Sequence, residues 1–123
     1  MTEKFLKYEF GNHVIFHGNS LDVLPTLEDE SIDLIFVDPP YNIGKKFVNF
    51  VDRWPSDESY IDWCKQWIDL CIRKLSQTGS IYLMASTQSM PYIDIYVRKK
   101  LTILSRIIWF YDSSGVQAKN YFG

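Results

Sequence analysis

Asp38, Pro39, Pro40, Tyr41 and Asn42 follow directly on an apolar run, Ile32 to Val37. They set a carboxylate, two carbonyls on rigid residues and an aromatic face on one short stretch. An amine conjugated to a planar ring is a poor nucleophile, because its lone pair is delocalised. If Asp38 and the Pro39 carbonyl each accept one of its two hydrogens, the nitrogen moves toward tetrahedral geometry and the lone pair is freed to attack an electrophilic methyl. Proline suits the position: its fixed φ holds the turn, and it brings no backbone N–H to compete for those acceptors. Tyr41 supplies a surface on which a planar ring can stack, a contact worth on the order of 1 to 3 kcal/mol per base.

The elements around this stretch predict an α/β architecture. His13 to His17 is a short β-branched and aromatic run closed by Gly18 and Asn19. Asn19 or Ser20 opens a brief helix through Leu27, and Ile32 to Val37 reads as a strand buried on both faces, as in a parallel sheet covered by helices. Tyr41 to Pro55 has no clear period and reads as a long loop. From Ser56 or Asp57, Tyr60, Trp63, Cys64, Trp67, Ile68, Cys71 and Leu75 recur at helical spacing, with Gly79 as the expected stop. Ser80 to Ala85 is a third strand, Ser86 to Lys100 a helix, and Thr102 to Tyr111 a fourth strand. Alternation of this kind predicts a doubly wound sheet, in which ligands collect beyond the carboxyl ends of the strands. Asp38 stands at one such end; Asn19, Ser86 and Asp112 to Gly115 follow the others.

Composition narrows the field. At 123 residues, 46% apolar and 23% charged, the chain is one ordinary globular domain at most. Thirteen basic and 15 acidic residues give a formal charge of −2, so any attraction to a phosphate backbone must be local or come from other segments. Cys64 and Cys71 lie two turns apart on one helix face, too distant for a disulfide, and read as buried thiols suited to a reducing cytoplasm. Met1 to Tyr8 is too charged for a signal peptide. A soluble, cytoplasmic protein is expected.

A strand ending in Asp38, Pro39, Pro40, Tyr41 resembles the catalytic motif of the amino DNA methyltransferases. His17, Gly18 and Asn19 before it, Asn42, Ile43, Gly44 and Lys45 after it, and Tyr111 to Lys119 near the end resemble the adenine-specific β group. The resemblance implies a site-specific methyltransferase that moves a methyl from S-adenosylmethionine to the exocyclic amine of adenine in double-stranded DNA. The adenine must be flipped out of the duplex to be reached. It further implies catalytic roles for Asp38, Pro39, Pro40 and Tyr41, substrate contacts from Tyr41, Asn42 and Lys45, and cofactor contacts from Asn19, Asp38 and Pro40, with no metal. Aspartate rather than serine at the first motif position favours adenine over the cytosine amine; related RNA and protein methylases usually begin the motif with Asn.

Plain structural roles stand beside these. Asn19 fits a helix cap as well as an adenosine contact, and Lys45 and Lys46 fit a solvated pair as well as a phosphate contact. Trp63 and Trp67 read as core, and Arg98, Lys99 and Lys100 complement a helix dipole.

One family feature has no counterpart. The cofactor motif, a strand followed by Phe, any residue, Gly, any residue, Gly, is absent, since no two of the six glycines have that spacing. By resemblance the strands correspond to the family's third, fourth, fifth and sixth, so only the fourth and fifth keep their neighbour. The expectation is a partial Rossmann-like sheet: residues 1–123 as an incomplete catalytic domain that needs a carboxy-terminal half or a partner subunit, or a non-catalytic remnant.

Overall fold

The computed structural model describes residues 4–110. The resemblance carried by Tyr111 to Lys119, and the start at Met1 to Glu3, lie outside the described residues. Within them the chain has mixed α/β content with two small sheets.

The first sheet is a hairpin of β1 (Phe5–Phe10) and β2 (His13–Gly18), antiparallel from Phe5 opposite Gly18 to Phe10 opposite His13. Gly11, at φ 55°, turns the chain between them. The sequence gives notice of this turn in Gly11-Asn12, flanked by aromatic and β-branched runs, and β2 therefore pairs locally instead of joining the strand that carries Asp38. Asn19 caps α1 (Ser20–Val23), which runs into a single 3-10 turn at Leu24–Thr26.

The second sheet is the parallel pair β3 (Ile32–Val37) and β4 (Leu75–Leu83), joined through the loop of residues 38–56 and the 18-residue helix α2 (Asp57–Lys74). Leu34 to Val37 pair in register with Ser80 to Leu83. Both strand bounds of β3 and the parallel pairing match expectation. The helix stop does not: α2 ends at Lys74, five residues before Gly79, because Leu75 turns extended and pairs with Ile32. Gly79 serves the ladder instead. A Cβ there would lie 3.0 Å from the Ile32 carbonyl oxygen and 2.7 Å from Leu75 Cδ1, so the close approach of β4 to β3 needs glycine.

Helix α2 starts at a reciprocal capping box between Ser56 and Ser59, and its Asp57 and Glu58 favour the positive end of the dipole. Its predicted stripe is the core: Tyr60, Cys64, Trp67, Ile68 and Cys71 are buried together with Ile93 of α3 (Met90–Arg98). Ile35, Val37, Ile81 and Leu83 pack on that cluster from the sheet, and Leu21 and Leu24 from the α1 region. Lys74 is also buried, its ammonium donating to the Leu27 carbonyl at 2.7 Å and paired with Asp29, which pins the entry to β3 against the end of α2.

Three further expectations are corrected. Among the described residues the sheet is covered on one face: Leu34 and Phe36 are 62% and 65% exposed, since α2 and the residues packed with it occupy the opposite face. The second helix begins at Met90 and ends at Arg98, short of both expected bounds. Residues 102–110 form no strand despite their β-branched and aromatic content, and Leu104, Ile107, Ile108, Trp109 and Phe110 are exposed. A strand satisfies its backbone only across to a neighbour, and no described segment runs beside this one. Arg106 instead ties the segment to Asp94, a buried carboxylate on α3 that also holds Arg98. Among the described residues, no helix is long and apolar enough to cross a membrane.

Candidate active site

β3 delivers Asp38 to its position. The Met84 N–H donates to the Val37 carbonyl at 2.9 Å, and the two prolines that follow Asp38 lack the N–H groups to continue the ladder. Asp38 is therefore the first residue past the sheet, and it is exposed. It is in no ion pair among the described residues. Its Oδ1 accepts a hydrogen bond from the Tyr41 hydroxyl. A carboxylate has about four lone-pair sites, so most of its accepting capacity stays open, on Oδ2 above all.

The Tyr41 hydroxyl responds to this contact. Burial first, then the hydrogen bond to Asp38 and its negative charge, push the phenol up to about 12. Tyr41 thus stays neutral and bonded to Asp38 through the physiological range, with its half-buried ring fixed beside the carboxylate.

Helix α2 braces the turn from below. The Tyr60 hydroxyl donates to the Pro40 carbonyl at 2.6 Å, while its ring is buried against Trp54 at 4.9 Å between centroids. Burial, followed by its contact with Cys64, raises the Tyr60 phenol far above the ordinary range. The Pro40 carbonyl is consequently engaged. The Pro39 carbonyl has no donor among the described residues, so it and the Asp38 carboxylate are adjacent acceptors with capacity to spare.

Asn42 has a mechanical part here. It sits at φ 60°, a left-handed conformation that Asn tolerates better than most residues. Its Oδ1 accepts the Trp54 N–H at 2.9 Å, and its Nδ2 donates to Asp57 Oδ1 at 3.3 Å. Those bonds fasten the start of the loop to the start of α2 and commit the carboxamide that the sequence assigned to substrate.

The stretch expected to be an irregular loop contains a hairpin. Lys46 and Val51 form an antiparallel bridge, the Phe47 N–H donates to the Phe50 carbonyl at 2.8 Å, and the Lys45 carbonyl accepts the Asp52 N–H at 3.0 Å. Asp52, 2% exposed, also receives the Lys45 N–H on its carboxylate. Gly44, at φ 74°, lets the chain pass the Arg53 guanidinium, 2.9 Å from where a Cβ would stand. Lys45 and Lys46 are exposed, the Lys45 ammonium 5.3 Å from the centre of the Phe47 ring. Asp52, Trp54 and Tyr60 are the supporting residues that motif reading misses. The signal for the hairpin is present in the aromatic and β-branched residues on either side of Val48-Asn49.

Asn19 is not joined to this constellation. It stands past β2, in the other sheet, and its side-chain oxygen accepts the Leu21 N–H at 3.0 Å as a helix cap. Of the three residues expected to contact S-adenosylmethionine, Asn19 and Pro40 thus each have their oxygen engaged once, and Asp38 keeps the most free accepting capacity. The described residues bring Asp38, Pro39, Pro40 and Tyr41 together and leave Asn19 apart from them. No group of three metal-ligating side chains occurs among the described residues.

Comparison with known proteins places the constellation. Residues 32–123, from the first residue of β3 onward, match the DNA methylase family. The chain belongs to that family. Within it, the chain is 52% identical over 116 residues to DNA adenine methyltransferase YhdJ of Escherichia coli, covering 93% of this chain and 39% of that protein. It is 34% identical over 87 residues to the type II methyltransferase M.BamHI of Bacillus amyloliquefaciens, covering 71% of this chain and 21% of that protein. It is 27% identical over 123 residues to M.ScaI of Streptomyces caespitosus, again with 39% of that protein covered. The methylase segment in hand thus spans about two fifths or less of the length of these curated relatives.

Proposed function

We propose that this chain carries the amine-accepting end of an S-adenosylmethionine-dependent DNA methyltransferase that acts on the exocyclic amino group of adenine. The observation that carries the reading is Asp38: a carboxylate past the end of a parallel strand, free of any ion pair among the described residues, beside an open proline carbonyl and a fixed tyrosine ring. Asp38 and the Pro39 carbonyl accept the two hydrogens of the amine and orient its lone pair. Tyr41 stacks on the flipped base, and Pro40, held by Tyr60, fixes the turn. When bound, S-adenosylmethionine supplies the methyl group. The parallel β3–α2–β4 unit supports reading the fold as a fragment of a doubly wound, Rossmann-like sheet, with Asp38 at the carboxyl end where such sheets place ligands.

The test is transfer of a radiolabelled methyl to duplexes that contain either adenine or cytosine as the only acceptor base, with this segment in an assembled enzyme. Asp38→Ala is expected to lower transfer to adenine by about 10²- to 10⁴-fold, the usual range for loss of a positioned proton acceptor. Retained transfer overturns the role of Asp38, and transfer to cytosine alone overturns the base.

A second reading has its own support. In it the chain works only with a partner half that binds the methyl donor; the Asn19 oxygen, engaged as a helix cap, and the Pro40 carbonyl, engaged by Tyr60, support it. Calorimetric titration of the 123-residue chain with S-adenosylmethionine separates the two. Micromolar binding contradicts the dependent-half reading, and no binding supports it.

A further inference from the structure

We propose that the hairpin of residues 45–51 is a wedge that enters the DNA stack at the gap left by the extruded base, an inference that rests on the function proposed above. At its tip Phe47 and Phe50 stack nearly parallel, with ring centres 4.6 Å apart and planes 9° from each other. Both rings are exposed, and Val48 between them is 99% exposed. Three large apolar side chains held in water on a projecting tip make a surface built for contact.

The tip is braced from within. Buried Asp52 bonds to Lys45 through both backbone and side chain, and Asn42 fastens the base of the loop to α2. The occupant follows from charge and place. Lys45 and Lys46 lie on the hairpin and the Arg53 guanidinium beside Gly44 at its base, whereas the adjoining carboxylate, Asp52, is buried and engaged. A surface of flat apolar faces rimmed by cations fits stacked bases between phosphates. Phe47 is six residues beyond Tyr41, so their Cα atoms are at most about 22 Å apart, which keeps the tip and the ring proposed to hold the flipped base on one short stretch of duplex. The wedge occupies the vacated space while Tyr41 holds the base outside.

Fluorescence anisotropy of the 123-residue chain on labelled duplexes, one intact and one with a single abasic site, tests this without a methyl donor. The chain is expected to bind the abasic duplex at least fivefold more tightly. The double variant Phe47→Ala, Phe50→Ala should lose that preference to within twofold. Val48→Asp, at a position too exposed to affect folding, should do the same with an unchanged circular dichroism spectrum. Lys45→Ala with Lys46→Ala should weaken both duplexes equally. Equal binding to the two duplexes, no binding, a preference that survives Val48→Asp, or tighter binding to anionic lipid vesicles than to DNA overturns the wedge. Because no methyl donor is present, the lack of any preference in the unsubstituted chain counts against the wedge alone, and retained methylation in Asp38→Ala counts against the catalytic reading alone.

Discussion

Removing one oxygen, in Tyr60→Phe, tests whether α2 braces the turn at Asp38 to Tyr41 through the Pro40 carbonyl. The Tyr60 ring is 1% exposed and keeps its packing against Trp54 and Trp63 in the variant, so the apolar ring surface it buries barely changes. What is lost is the 2.6 Å bond to Pro40. A net hydrogen bond is worth about 0.5–1.5 kcal/mol, and a buried acceptor left bare costs about 1–3 kcal/mol. Pro40 is half-buried, so water reaches its carbonyl in part, and a loss of about 1–2 kcal/mol is expected. With a urea m-value of roughly 1.5 kcal/mol/M for a domain of this size, the midpoint falls by about 1 M. Tryptophan fluorescence follows the transition, since Trp54, Trp63 and Trp67 all border the core. Tyr60→Ala, which also deletes the ring, should cost about 3–5 kcal/mol. If Tyr60→Phe matches the wild type within about 0.3 kcal/mol, or is as damaging as Tyr60→Ala, the hydroxyl is not the brace described.

Asn42→Ala loses two hydrogen bonds and forces alanine to φ 60°, for an expected loss of about 2–3 kcal/mol; Asn42→Gly, which keeps the backbone conformation, should lose about half as much in the same denaturation assay. The Tyr41 phenol should titrate near 12 by carbon NMR of labelled tyrosine. Its folded value lies above the ordinary 10, so the stabilisation it reports is complete below pH 10 and is lost as the pH rises toward 12. Asp38→Asn removes the charge, so the value should fall while staying above 10 through burial; no change would show that the hydroxyl and Asp38 are not coupled. Leu34→Lys with Phe36→Glu places charges on the uncovered sheet face, and sedimentation velocity should show less self-association with the same helical circular dichroism signal.

What the sequence discloses depends on how local the deciding interactions are. The α2 stripe was legible because helical periodicity and burial coincide from Tyr60 to Cys71. Asp38 was legible because a β-rich run meets two prolines and must stop there. Gly79 misled, because a glycine that ends a helix and one that lets two strands close up look alike in sequence. Ile32 to Val37 suggested burial on both faces, yet hydrophobicity alone does not supply the layer that would cover Leu34 and Phe36. Residues 102–110 have strand composition without a neighbour, and pairing is not a property of one segment. At the site, the positions of the motif residues and the helix cap at Asn19 were foreseen, but the engagement of Pro40 and Asn42 was not. Those depend on partners 20 and 12 residues away, which no motif encodes.

The pattern of engaged and open acceptors gives the site its direction. Four polar groups lie on or near the motif, and the structure commits them unequally: Pro40 to Tyr60, Asn42 to Trp54 and Asp57, Asp38 in part to Tyr41, and Pro39 to nothing among the described residues. On the proposed function, if all were open a flipped base could seat its amine in several registers, and the productive one would be diluted. With Pro40 and Asn42 engaged, the least committed of the four are adjacent in the chain, on the two residues that leave the strand. The Tyr41 bond to Asp38 removes a further freedom, because it turns the ring and the carboxylate toward each other. The same fasteners that withdraw Asn42 from substrate hold the base of the 45–51 hairpin, so the orientation of the amine and the placing of the apolar tip have a common mechanical origin. Asn42→Ala is therefore expected to impair both at once: the abasic-duplex preference and adenine methylation should decline together, whereas Phe47→Ala with Phe50→Ala should abolish the preference and leave the Asp38–Tyr41 hydrogen bond intact by NMR.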